Sequence, residues 1–201
     1  HILERYLTVT KDVFLTDRLC EAALVSIIAA ARRIQKDPQD YEARATICWS
    51  GTIAHNGSLG VGRQEDWATH LLEHELSGLY DVTHGAGLAV LYPSYMRYVV
   101  EADIERFRHL ALAVWGVPDD PEDPKKTALS GIDAMESFFR EIGMPISFEE
   151  IGAKESDIGI LVEKLFEGKG KTVGGFRPLT REDATAVYRM ACLPGGKPHA
   201  L

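Results

Sequence analysis

Residues Trp67 to Val100, WATHLLEHELSGLYDVTHGAGLAVLYPSYMRYVV, decide how this chain reads. They hold three of its seven histidines, His70, His74 and His84, within fifteen positions. Ala68, Leu71, Leu72 and Leu76 recur at helical spacing, which predicts a helix through His70 and His74. Four positions apart on such a helix, the two imidazoles share one face, about one turn from each other. Gly78 offers that helix an end, and Asp81 or Thr83 can cap a second helix with His84 in its first turn. Two helices meeting at a short turn, with histidines facing inward, form a geometry that suits a metal ion.

Two other readings compete. In the plainer one the histidines pack as partly buried, hydrogen-bonded side chains of a helix hairpin. Three converging imidazoles beside Gly85 and Gly87 favour a functional cluster instead. The sharper competitor takes His70-Leu71-Leu72-Glu73-His74 as H-x-x-E-H, the inverted zinc-peptidase motif, with Glu73 as general base and a distant carboxylate as third ligand. An amphipathic helix matches five such positions readily, and the peptidase reading leaves His84 without a role.

The segment resembles the metal-binding signature of the iron-containing (group III) alcohol dehydrogenases, of the butanol-dehydrogenase type. That signature is a histidine, a second four later, and a third ten beyond it in an H-G-x-x-L/N-A run followed by a proline. Here it reads His70, His74, His84-Gly85-Ala86-Gly87-Leu88-Ala89 and Pro93. The resemblance implies that His70 and His84 bind a divalent metal, and that His74 is the catalytic, substrate-side group beside the reacting carbon. In the same family a D-x-x-x-H ligand pair comes just before I-E-x-Y or L-E-x-Y. His1-Ile2-Leu3-Glu4-Arg5-Tyr6 matches that run and puts His1 on a ligand position, with the aspartate four residues before it, outside this chain. An N-G-x-x-G-x-G-R run followed by D-W-A-x-H is matched by Asn56 to Arg63, Asp66-Trp67-Ala68 and His70.

The resemblance runs from His1 to about Ala191 and covers the C-terminal half of a dehydroquinate synthase-like architecture. The family's other half, a nucleotide-binding domain, has no counterpart in this sequence. The function implied by the resemblance is that of the metal-binding domain of an NAD(P)-dependent alcohol dehydrogenase or aldehyde reductase. Fe2+ or Zn2+ would polarise the alcohol or carbonyl oxygen during hydride transfer, with NAD or NADP as the second cofactor. Small alcohols or aldehydes are the expected substrates, and a homo-oligomer the expected assembly. This chain alone is expected to be inactive, for want of its nucleotide-binding partner. A dehydroquinate synthase-like lyase and the zinc metallopeptidase stay open as alternatives.

Charge and composition narrow the field in the same direction. A net charge of −8 over 201 residues argues against nucleic acid or an anionic membrane as partner. A hydrophobic content of 45% with 26% charged residues is ordinary for a globular domain of this length. Cys20, Cys48 and Cys192 are odd in number and form no metal-type pair, which suits a reduced, cytoplasmic setting. No stretch reaches the roughly 18 apolar residues of a spanning helix, and no signal peptide opens the chain. The chain has no starting Met and opens as if in mid-helix.

Along the chain the periodicity is helical throughout. Helices are expected over Thr16–Lys36, with Leu19, Ala22, Ala23, Ile27, Ala30, Ala31 and Ile34 inward, and from Asp40 towards Asn56, with Ala45, Cys48, Trp49, Thr52 and Ile53 inward. Asn56 to Arg63 is a glycine-rich turn, with no G-K-S/T and no preceding strand to make it a phosphate loop. Pro93 should kink or restart the helix after His84. Further helices are expected over Asp103–Trp115, Lys125–Ile142, Ser156–Phe166 and Thr180–Leu193, with a capping box at Ser147 to Glu150. The glycine- and lysine-bearing stretch from Gly168 to Leu179 reads as a flexible, solvated connection. The expectation is one all-α, multi-helix bundle-like domain over residues 1–193, of eight or nine helices, and a flexible tail over 194–201.

Overall fold

The computed structural model describes residues 1–193; the expected flexible tail lies outside the described residues. Among the described residues nine α-helices succeed one another: α1 Ile2–Tyr6, α2 Phe14–Lys36, α3 Tyr41–His55, α4 Ala68–Tyr80, α5 His84–Val99, α6 Ile104–Leu110, α7 Pro124–Glu141, α8 Ile158–Phe166 and α9 Arg181–Ala191. No strand forms among the described residues, only an isolated antiparallel bridge between Val173 and Leu179. The all-α expectation agrees with this architecture. Among the described residues no helix is long and apolar enough to cross a membrane.

The core is organised around α5, because its sequence is apolar on every side. Leu88, Val90, Leu91, Tyr92, Tyr95, Met96 and Val99 are all buried, and so are Pro93 and Ser94. A helix apolar all round must be surrounded, and α5 packs against α4, α7 and α9. The helix runs through Pro93 to Val99 without ending there. From the other side α4 contributes Ala68, Leu72 and Leu76, all at 0% exposure. The buried Tyr188 of α9 donates its hydroxyl hydrogen to the Leu72 carbonyl at 2.8 Å. That bond anchors the middle of α4 from behind.

Several local expectations change. Helix α4 passes Gly78 and ends two residues later, where Asp81 takes a left-handed backbone (φ 55°). Thr83 stands at the start of α5, as expected, but makes no side-chain capping bond. Helix α2 starts at Phe14, and its buried face carries Cys20, Glu21, Ile28 and Ala30, while Leu19 points outward. Helix α3 likewise turns Trp49 to solvent and buries Ala43, Ser50 and Ala54. Both helices carry apolar residues on more than one side, so spacing alone could not choose the inward face. Ser147 and Glu150 do bond, at 3.1 Å, but the helix there is a single 3-10 turn, Glu149–Ile151. After α6 the helix widens into a π turn over Ala111–Trp115 before Gly116 (φ 62°) stops it.

The largest correction concerns Gly168 to Leu179. Val173, Phe176 and Leu179 are buried, and Val173 and Leu179 exchange backbone bonds of 3.0 and 2.7 Å. Asp66, just before α4, holds this segment in place. Its carboxylate accepts from the backbone N–H groups of Gly175 (2.9 Å) and Phe176 (3.0 Å), and from the Tyr95 hydroxyl of α5. Residues 173–179 are a strap clamped to the entrance of α4, while Gly168 to Thr172 are exposed, as a solvated connection would be.

Asp66 is 3% exposed, and burial pushes its carboxyl up to about 6 from an ordinary 3.8. The stability its protonated form contributes is full below about pH 4 and is lost as pH rises through 6. At 1.36 kcal/mol per pH unit the difference is about 3 kcal/mol. Asn at this position keeps an acceptor for the two N–H groups and carries no charge. The stability of Asp66→Asn relative to the natural protein should therefore improve by about 2 kcal/mol between pH 4 and pH 7.5. Urea unfolding at both pH values checks this, and a constant difference would show that the carboxyl does not titrate so.

Candidate metal centre

Three elements bring histidines to one point. Helix α4 presents His70, the first turn of α5 presents His84, and the residue ahead of α1 is His1. A ligand-capable atom of each lies within 4.8 Å of one from both others. His70 Nε2 and His1 Nε2 are 3.1 Å apart. Two nitrogens bound to one metal at about 2.0–2.1 Å stand about 3–3.4 Å from each other, so the separation fits a shared ion. His74, one turn beyond His70, is exposed and stands at the rim, its ring 6.3 Å from that of His70 and 5.7 Å from that of His84.

The orientation of these rings is set by two buried carboxylates. Glu4 of α1 has no exposed surface, and its Oε1 accepts from both the backbone N–H (2.9 Å) and Nδ1 (2.7 Å) of His70. Glu73 of α4, equally buried, accepts from Nδ1 of His84. A carboxylate can only accept, so in both histidines Nδ1 carries a hydrogen, and in the neutral ring Nε2 keeps its lone pair. Metal-bound histidines are held in this same way, the far N–H donated to a carboxylate. Burial pushes His70 down to about 3, so it stays neutral and free to ligate at physiological pH. Burial also raises Glu4 above the usual carboxylate value, against the lowering effect of the His70 N–H.

Glu73, His74 and His84 also lie close enough together to form a second trio. It is better explained as support. Both oxygens of Glu73 are engaged, one by the Ser77 hydroxyl and the other by His84. Gly87 leaves the room this needs: a Cβ there would come within 2.8 Å of Glu73 Cγ. The peptidase alternative gains nothing from this arrangement. It requires Glu73 to face a water molecule and His74 to join His70 on the metal, yet Glu73 is sealed in and His74 lies at the edge.

One wall of the centre is Trp67, whose indole stands 5.0 Å from the His70 ring and 6.0 Å from that of His1. Its backbone is left-handed (φ 66°), uncommon for a bulky residue, and Arg5 lies 5.0 Å over the indole. From sequence, Glu4 and Trp67 have no role at the metal, and Glu73 only that of general base in the peptidase reading. The spacing does carry a signal for Glu73, three residues past His70 and so on its face. For Glu4 the signal is an acid within an apolar run, Ile2-Leu3-Glu4.

Residues 1–192 match the profile of the Fe-containing alcohol dehydrogenase family, C-terminal. The chain belongs to this family. It is 34% identical over 192 residues to a probable NADH-dependent butanol dehydrogenase of Bacillus subtilis, a match covering 94% of this chain and 49% of that protein. To the NADPH-dependent aldehyde reductase of Escherichia coli it is 30% identical over 191 residues, 95% of this chain and 49% of the reductase. The crystal structure of NADH-dependent butanol dehydrogenase A from Thermotoga maritima superposes with a TM-score of 0.89 at 34% identity, covering 96% of this chain and 50% of that one. This member of the iron-containing alcohol dehydrogenases thus spans about half the length of the relatives it matches.

If Glu4 and Glu73 hold the ligand rings as described, Glu4→Gln and Glu73→Gln should each weaken divalent metal binding by about 10–100-fold, the usual cost of losing such a partner. Titration of the metal-free protein with Zn2+ against a competing chelator measures it. An undiminished affinity in both variants would mean that the carboxylates do not orient the ligands.

Proposed function

We propose that this chain is the metal-holding half of an NAD(P)H-dependent alcohol dehydrogenase or aldehyde reductase acting on small alcohols and aldehydes. The observation that carries the proposal is the convergence of His1, His70 and His84, two of them backed by buried carboxylates. Family membership and the names of the relatives support it. Three imidazoles suit Fe2+ or Zn2+, and His1, His70 and His84 would hold either through nitrogen. When bound, the metal supplies Lewis-acid polarisation of the alcohol or carbonyl oxygen, and the nicotinamide accepts or supplies the hydride. The nicotinamide site would lie in the part of the relatives that this chain does not span.

The chain's own residues then have separate tasks. Glu4 and Glu73 keep Nδ1 of His70 and His84 protonated, so that both rings offer Nε2. Trp67, pressed against His70 and His1, keeps water from that side of the centre. His74 is exposed at the rim beside His84, where an imidazole can take up or return the hydroxyl proton and exchange it with solvent.

Ligand and proton-transfer roles separate experimentally. In the intact enzyme His70→Ala and His84→Ala should lose bound metal and activity together. His74→Ala should keep its metal while butanal reduction falls by about 10²–10⁴-fold, the usual range for a general acid–base group. Elemental analysis and steady-state assay with NADH or NADPH distinguish the two. Full metal occupancy in both His70→Ala and His84→Ala would remove the site.

A further inference from the structure

His55 closes α3 and takes no part in the roles assigned so far, yet its environment resembles that of the ligands. Its Nδ1 lies 2.7 Å from the Gly51 carbonyl. A carbonyl only accepts, so Nδ1 carries the hydrogen and the neutral ring leaves Nε2 bare, as in His70 and His84. This orients the ring but does not by itself mark a ligand, since a helical histidine reaches the carbonyl one turn back readily. The second observation is where the ring lies. It packs 4.1 Å from the ring of His1, tilted by 43°. The ring of His1 lies 4.3 Å from that of His70, and the ring of His70 lies 5.2 Å from that of His84.

The four imidazoles therefore form a file leading inward. His55 is exposed, His1 partly so, and His70 only 4% exposed. A hydrated divalent cation reaching the centre from this side meets His55 first and His1 next. Each water it sheds must be replaced by a donor of comparable affinity, or the cation stalls at the surface. Imidazole nitrogen supplies that donor for Fe2+, Co2+ and Zn2+, and much less so for Mg2+ or Ca2+.

We propose that His55 is the capture ligand of the metal centre, binding an incoming divalent cation together with His1 before His70 and His84 complete its coordination. The proposal rests on the His1, His70 and His84 centre. His55 belongs to the route and not to the final ligand set, so its loss changes rates without changing the bound state.

The test is stopped-flow uptake of Co2+ by the metal-free protein, followed through the visible absorption of the bound ion. His55→Phe keeps an aromatic ring against His1 and removes the ligand nitrogen, and His55→Leu removes both. Both variants should take up Co2+ about 10-fold more slowly, at the lower end of what losing a supporting group costs a metal site. A transit ligand lowers the barrier in both directions, so release to a chelator should slow by the same factor. The final spectrum and the equilibrium affinity should match the natural protein. Unchanged uptake in His55→Phe overturns the capture role. A variant with an altered final spectrum or weakened equilibrium binding overturns it as well, because His55 would then be a resident ligand or a prop for His1. If the natural protein binds no Co2+, the centre itself fails and the capture role with it. Because His55 is exposed, thermal unfolding of the variants should match that of the natural protein, which separates these outcomes from misfolding.

Discussion

The pairing of Glu4 with His70 is the contact on which the rest of this structure depends. One oxygen of a carboxylate with no exposed surface receives both the backbone and the ring N–H of a histidine sixty-six positions away. It ties α1, five residues long and too short to hold itself together, to the first turns of α4. The Glu4 carbonyl also accepts from the Asp66 N–H at 2.8 Å, and Arg63 donates to the neighbouring Arg5 carbonyl at 3.0 Å. A short helix that would fray alone is thus fixed at both its side chains and its backbone. The same contact that docks α1 also delivers His1 to His70.

From that contact the order spreads along α4. Asp66, one residue ahead of the strained Trp67, clamps the 173–179 strap with two backbone N–H groups and reaches Tyr95 in the middle of α5. At the far end the Ser77 hydroxyl touches Glu73 and lies 3.0 Å from the Val82 carbonyl, across the turn into α5. Helix α4 is therefore held at its start, at its middle through Tyr188, and at its end. Placing imidazoles to within tenths of an ångström requires such rigid backing, because a ligand on a loose helix is orientated only by the metal it is meant to bind.

Much of this was legible in the sequence, and the parts that were not have physical causes. The helix through His70 and His74, the new helix at His84 and the all-α class came from periodicity that tertiary packing had no reason to override. The convergence of His1 with His70 and His84 came from the family resemblance, since nothing local relates residue 1 to residue 70. On α2 and α3 the expected inward residues Ala30, Ala23, Ile27 and Ile53 are buried or pack against the core, whereas Leu19 and Trp49 are apolar yet exposed, because one sequence does not mark which of two apolar faces is covered. The strap was misjudged because glycine and lysine imply solvent. Its order comes from one distant aspartate, and Val173, Phe176 and Leu179 are too widely spaced to announce a buried segment. Glu4 and Glu73 were visible as acids on apolar faces, but their partners are set by the fold.

Those two carboxylates also explain why the centre should favour a doubly charged ion. Each is fully buried, and a buried carboxylate costs several kcal/mol unless charge or hydrogen bonds compensate it. Neutral imidazoles supply hydrogen bonds and no charge, and burial holds His70 neutral. Burial raises Glu4 above the usual carboxylate value, while the His70 N–H and the Tyr92 hydroxyl pull it the other way. If the proposed centre holds a divalent cation, its charge would offset the carboxylates that aim the imidazoles of His70 and His84. The arrangement that orients the proposed ligands would therefore couple metal binding to the stability of the fold.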